Sequence, residues 1–186
     1  MRVISGSAKG HKLKSPKGMS TRPTTDRIKE SLFNIIAAYI PGAYVLDLFA
    51  GTGNLGIESL SRGAEFAIFV DKSPVAAKII LENLTHTKLS QKAQIYTCDW
   101  FSFINKFDTT YKKFDIIFMD PPYSQEFIVP VLREIWKKRL LKEDGMIIVE
   151  REKTDVISEI IEGFRIVREK EYGRTVITML RYNNYD

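Results

Sequence analysis

Four consecutive residues, Asp120-Pro121-Pro122-Tyr123, follow the apolar run 114–119. A carboxylate delivered by a buried strand and held on stiff proline backbone suits one kind of chemistry, the activation of a poor nitrogen nucleophile. The exocyclic amine of a nucleic-acid base is such a nucleophile, because its lone pair is conjugated into the ring. Two acceptors on its N–H groups draw the nitrogen toward tetrahedral geometry and free that pair; Asp120 Oδ and the Pro121 carbonyl are the candidates. Tyr123 offers a flat face on which the base can stack. Taken alone, the same four residues also read as a rigid turn after a strand.

A second group lies upstream. Val45-Leu46-Asp47-Leu48-Phe49-Ala50-Gly51-Thr52-Gly53-Asn54-Leu55-Gly56 is an apolar strand, a glycine turn and a helix start, and Gly51, Gly53 and Gly56 satisfy G-x-G-x-x-G. That spacing fits dinucleotides and S-adenosylmethionine alike. Asp71 ends the next apolar run and can accept from both hydroxyls of a ribose in either cofactor. Asp47 tips the balance, since a carboxylate before the glycines attracts an ammonium and repels a pyrophosphate. Asp99, after a third run, is placed to accept from an adenine amine, or alternatively to cap the next turn. Phe49, Lys72 and Trp100 complete the candidate cofactor set. Methyl transfer from a sulfonium needs no covalent intermediate, so Cys98 is read as a packed, inert thiol.

These residues need a frame that brings strand ends together. Apolar runs at 44–48, 66–70, 94–98, 114–119 and 146–149 alternate with helical patterns at 55–61, 74–85 and 126–139, the signature of a parallel sheet with helices on both faces. Ahead of them Ile28, Leu32, Ile35, Ile36, Tyr39 and Ile40 recur at helical spacing, with Thr24 or Thr25 as cap and Pro41-Gly42 as stop. After them, residues 164–171 and 175–181 flank Tyr172-Gly173-Arg174 as an antiparallel hairpin. Residues 2–5 and 11–14 form a small basic hairpin around a glycine turn. The expected division is a basic arm, 1–23, and one catalytic domain, 24–186.

Composition bounds the reading further. Of 28 basic residues in the 186-residue chain, eight fall within 1–29 against the single acid Asp26, so the whole excess of +5 sits in that stretch. A polyanion is the natural partner, and a solvated basic tail is the plain alternative. One cysteine and two distant histidines, His11 and His86, give no disulfide and no metal-ligand cluster. No apolar run approaches a membrane span and no signal core opens the chain, so a cytoplasmic protein is expected.

The chain resembles the RsmD family of bacterial small-subunit (16S) ribosomal RNA guanine-N2 methyltransferases. The likeness runs nearly end to end, through Met1-Arg2-Val3-Ile4-Ser5-Gly6, Arg22-Pro23-Thr24-Thr25-Asp26-Arg27 with residues 30–33 after it, residues 47–53 and residues 120–123. It implies a Rossmann-like class I methyltransferase fold of seven strands, the last antiparallel, and transfer from S-adenosylmethionine to N2 of one guanine of 16S rRNA within a 30S-like particle. It also implies that Asp47, Gly51, Gly53, Asp71 and Asp99 hold the cofactor and residues 120–123 the amine, and that Arg22 and Thr24 border the site. Arg2, Lys9, Lys12, Lys14 and Lys17 then contact phosphates while the guanine is turned out of its stack. A monomer without metal or membrane is expected. Three rivals stand beside this reading. A DNA adenine-N6 or cytosine-N4 methyltransferase shares the chemistry, but the arm is small for reading several base pairs. An NAD-binding oxidoreductase leaves residues 120–123 unexplained, and a non-catalytic ribosome-assembly protein leaves Asp120 and the glycine loop so.

Overall fold

The computed structural model describes residues 1–15, 26–110, 112–121, 124–155, 157–158 and 160–183. The alternating region gives five strands, β1 (Tyr44–Asp47), β2 (Phe66–Asp71), β3 (Ala93–Thr97), β4 (Phe114–Met119) and β5 (Leu141–Glu152). All pair in parallel, in the order β3-β2-β1-β4-β5. From β1 the chain winds outward to β2 and β3, then returns to begin again at β4. Connections that leave adjacent strands in opposite directions open a crevice at the carboxyl ends, and here it lies between β1 and β4.

Helices cover both faces, as unbroken apolar strands require. On one face Val45, Phe118 and Ile148 pack with Leu32 and Phe33 of α1 (Asp26–Ile35), Ile57 of α2 (Asn54–Ser61) and Ile80 of α3 (Pro74–Thr87). On the other, Leu46, Ile117 and Val149 meet Phe103 of α4 (Trp100–Lys106) and Ile128 and Leu132 of α5 (Ser124–Lys137). Ser73 caps α3 by accepting from Ala76 N (3.3 Å), with Pro74 opening the first turn.

The expected carboxyl-terminal hairpin is present as β7 (Phe164–Tyr172) and β8 (Thr175–Tyr182), with β8 antiparallel to β5. The seven expected strands are therefore all found, and an eighth, β6 (Ile160–Ile161), pairs with the far edge of β7. Two residues are too few to carry a period. Helix α4 was not foreseen either: of its seven residues only Phe103 and Ile104 are buried, too few to make a stripe. The first helix stops at Ile35 and a 3-10 turn, Ala37–Tyr39, follows, so the apolar spacing through Ile40 spans two elements.

The amino-terminal hairpin is held by one antiparallel bridge, Arg2 to Lys12, where two short strands were expected. It is packed into the domain: Val3, Ala8 and Leu13 share the core beneath α1 and α2. The expected boundary at 23/24 lies outside the described residues. Buried polar groups anchor the arm. Glu58 on α2 accepts from Ile4 N (2.8 Å), Ser5 N (3.0 Å) and Arg62 Nε (2.7 Å). Lys29 on α1 pairs with it at 3.1 Å and donates to Arg2 O (2.6 Å) and Asn54 Oδ1 (2.7 Å). Burial lowers the Lys29 pKa and the Glu58 carboxylate opposes this. On α3, Asn83 joins arm to loop: its Oδ1 accepts from Lys14 N (2.7 Å), and its Nδ2 donates to Lys14 O (3.1 Å) and Thr52 O (3.0 Å). Glu58→Ala, which strands a buried ammonium and two backbone N–H groups, is expected to cost about 3–5 kcal/mol in urea unfolding. A cost below about 1 kcal/mol would show that the pair is not what holds the arm.

Candidate active site

The site begins where β1 ends. Asp47 is buried, and its Oδ2 accepts from Gly56 N in the first turn of α2 (3.0 Å). Burial raises its pKa to about 7, the Gly56 bond opposes the rise and the Asp71 charge adds to it. A desolvated carboxylate held this way favours a cationic ligand group. The chain then turns through Gly51 and Gly53, both left-handed, at φ 55° and 77°. A Cβ on Gly51 would meet nothing within 4 Å, so the loop presents open backbone there. On Gly53 it would press on Ile57 and Phe69, at 3.2 and 3.3 Å, so this glycine lets α2 lie close to β2.

Asp71, at the end of β2, ties the loop down: Oδ2 accepts from Gly51 N (2.8 Å) and Oδ1 from Ser73 N (2.9 Å). Asp99, after β3, is the N-cap of α4, accepting from Ser102 N (2.9 Å) and Ser102 Oγ (2.7 Å). Those bonds hold its carboxyl below the usual carboxylate range. The capping use that the sequence left open is thus present, on an exposed side chain. Phe49 is half-buried and meets Phe127 edge-on at 6.0 Å; Trp100 is half-buried beside the exposed ring of Phe101, and Lys72 is exposed. Burial, then the Asp99 charge, push the Cys98 thiol up, away from the reactive thiolate.

Asp120 follows β4 two residues beyond Phe118, the register partner of Asp47 on the adjacent strand. The residue is exposed as a whole, yet protein crowds its carboxyl. This desolvation raises its pKa well above the ordinary carboxylate range, and the charges of Glu150 and Asp47 raise it further. Pro121 is buried; Pro122 and Tyr123 lie outside the described residues, as do Lys17, Arg22 and Thr24. Of the remaining basic candidates, Arg2 pairs with Asp26 at 3.2 Å and Lys14 with Glu82 at 3.0 Å, both near the surface, while Lys9 and Lys12 are exposed.

Glu150 was missed by the sequence reading. It follows the apolar residues 146–149 just as Asp71, Asp99 and Asp120 follow their runs, so the signal existed. What the sequence lacks is register: Met119 of β4 lies opposite Val149 of β5, which sets Glu150 next to Asp120. The structure thus gathers Asp47, Asp120 and Glu150 at the carboxyl edge of three adjacent strands. Among the described residues no three His, Cys, Asp or Glu are arranged to hold a metal ion, and no helix is long and apolar enough to cross a membrane.

Known proteins are similar to this chain in sequence and in fold. The family described as "Conserved hypothetical protein 95" matches residues 1–181. "Putative rRNA methyltransferase YlbH" of Bacillus subtilis is 41% identical over 181 residues, 97% of this chain and 98% of that one. "Ribosomal RNA small subunit methyltransferase D" of Escherichia coli is 32% identical over 174 residues, 94% of this chain and 86% of that one. Among solved structures, "Putative methyltransferase yhhF from Escherichia coli" superposes with a TM-score of 0.88 at 28% identity, covering 100% of this chain and 99% of that one. With a glycine loop and Asp120 flanking one crevice, and relatives matched nearly end to end, the chain belongs to the RsmD family of small-subunit ribosomal RNA methyltransferases.

Proposed function

We propose that the protein transfers a methyl group from S-adenosylmethionine to N2 of a guanine in small-subunit (16S) ribosomal RNA, within a 30S-like particle. The observation that carries this is the pairing of β1 with β4, which sets the buried Asp47 and open Gly51 of a cofactor loop against Asp120 across the switch-point crevice. Asp47 would hold the ammonium of the methionine moiety, the backbone at Gly51 and Gly53 would let the cofactor approach, and Asp71 and Asp99 would accept from ribose and adenine groups. When bound, the cofactor supplies a methyl on a sulfonium, whose departure leaves a neutral thioether.

The remaining work falls to the chain. Asp120 Oδ and the Pro121 carbonyl accept from the two amine hydrogens, turning the N2 lone pair toward the methyl carbon. As the nitrogen–carbon bond forms, N2 gains positive charge and gives one proton to Asp120. A carboxylate whose surroundings raise its pKa is the better acceptor for that proton. Pro122 and Tyr123 would complete the clamp and the stacking face, and Arg22 and Thr24 its border. The test is transfer of labelled methyl to 30S particles, naked 16S RNA and duplex DNA in parallel, with nucleoside analysis of the products. N2-methylguanosine from RNA or particle supports the proposal; label in DNA adenine or cytosine would replace it with a DNA methyltransferase.

The arm supplies the phosphate contacts in this reading. Neutralising Lys9, Lys12 and Lys14 together is expected to weaken RNA binding and to flatten its salt dependence by about two to three units of log–log slope. An unchanged slope in a salt titration would return the arm to a solvated surface.

A further inference from the structure

Three carboxylates at one strand edge are more than amine activation needs. Asp120 and Pro121 already offer two acceptors for the two amine hydrogens, and Asp47 is assigned to the cofactor. Glu150 has no part in that scheme. Its position is nonetheless well defined. Val45, Phe118 and Ile148 face the same core; Asp47 follows Val45 by two residues on β1, Glu150 follows Ile148 by two on β5, and Asp120 comes directly after the last residue of β4. Side chains two apart on a strand share a face, so Glu150 belongs to the same side of the sheet as Asp47, next to the point where Asp120 leaves β4. It is half-buried within β5, opposite Ile177 of β8, and the charges of Glu150 and of Asp47 both act on Asp120.

We infer that Glu150 selects the base, by accepting the N1–H of the target guanine while Asp120 accepts from its N2 amine. The inference rests on the guanine-N2 reading above and deepens it. The pattern of donors on the base edges supports this role. Guanine presents N1–H directly beside its exocyclic amine, two donors in a row. Adenine places a bare N1 lone pair beside its N6 amine, and cytosine a bare N3 beside its N4 amine. An Asp120-type clamp therefore accepts all three bases, as far as the amine is concerned. A second carboxylate alongside breaks the tie: it takes a hydrogen bond from guanine and meets a lone pair in adenine or cytosine. A carboxylate that accepts an N–H from guanine faces a lone pair in the analogues that lack it, and that repulsion disfavours them. Unlike Asp120, Glu150 acts here as a specificity residue and takes no proton.

The test separates this from the functional reading itself. The wild-type product is first mapped; absence of N2-methylguanosine at that stage would overturn the guanine reading before Glu150 enters. RNA is then assembled with guanine or with 2-aminopurine at the mapped position. 2-Aminopurine keeps the amine on C2 and replaces N1–H with a lone pair. Wild type is expected to prefer guanine by about 10²-fold or more in kcat/KM. Glu150→Gln, whose amide can donate to that lone pair, should lower the guanine rate and narrow the preference by about tenfold or more, with S-adenosylhomocysteine affinity changed only a few-fold. Comparing the ratio between variants isolates the Glu150–N1 interaction from the other differences between the two bases. Glu150→Asp, which keeps an acceptor, should retain the preference at a lower rate; it also serves if the Gln variant folds poorly. An unchanged guanine-to-2-aminopurine ratio in Glu150→Gln, or equal losses on both bases together with lost cofactor affinity, would overturn the inference.

Discussion

Replacing Asp120 by Ala or Asn is expected to lower kcat by about 10²–10⁴-fold, the range spanned by losing a positioned acceptor and a proton acceptor. Cofactor affinity should stay within a few-fold, because the carboxylate is assigned to the amine. Calorimetry with S-adenosylhomocysteine beside single-turnover methyl transfer separates the two effects. A loss of cofactor affinity as large as the loss of rate would move Asp120 into the cofactor site and leave the amine without its clamp. The pH profile gives a second check. Asp120 must be ionised to accept, and desolvation with the charges of Glu150 and Asp47 raises its pKa. The rate should therefore fall, as pH is lowered, at higher pH than for an ordinary carboxylate, and this acid limb should be absent from the residual activity of Asp120→Asn.

Asp47→Asn should show opposite effects on folding and on binding. In the folded protein the Asp47 pKa is raised from an ordinary 3.8 to about 7. The folded state thus binds this proton more tightly than the unfolded state. Its cost to stability grows as pH rises from about 4 to about 7 and is complete above that. Asparagine keeps an acceptor for Gly56 N and carries no charge. The free variant should be more stable than wild type at pH 8, by on the order of 2–4 kcal/mol, and by less at pH 5. Its cofactor affinity should fall by about 10²-fold, since the ammonium would lose a buried anionic partner. In the wild type, binding that ammonium demands ionised Asp47, so affinity should rise with pH up to about 7 and the variant should lack that rise. Unchanged affinity in Asp47→Asn would remove Asp47 from the cofactor site, whatever its effect on folding.

Much of this was readable along the chain, for a physical reason. A sheet buried on both faces writes each parallel strand as an unbroken apolar run, and the first polar residue after the run marks its carboxyl edge. Asp71, Asp99 and Asp120 were found in that way, and Asp47 by its place just before the glycines. Glu150 carries the same local mark, but its meaning depends on β5 lying beside β4, a pairing between residues about thirty positions apart. Helix α4 buries too few side chains to make a period, and strand β6 is only two residues long. Asp71 and Asp99 illustrate a different limit: the sequence places them at strand ends, whereas only the structure shows one tying Gly51 and the other capping α4.

The polar seams beneath the arm make it a poor candidate for deletion experiments. Removing residues 1–15 would take away the backbone donors that Glu58 accepts from, the carbonyl that Lys29 reaches, and two of the three bonds made by Asn83. It would also uncover the apolar surface on which Val3, Ala8 and Leu13 sit. A truncated protein would then lose activity through a loosened glycine loop and a destabilised fold, whether or not the arm touches RNA. For the same reason the arm is not a portable binding module: grafted elsewhere, it would leave behind the helices that give it shape.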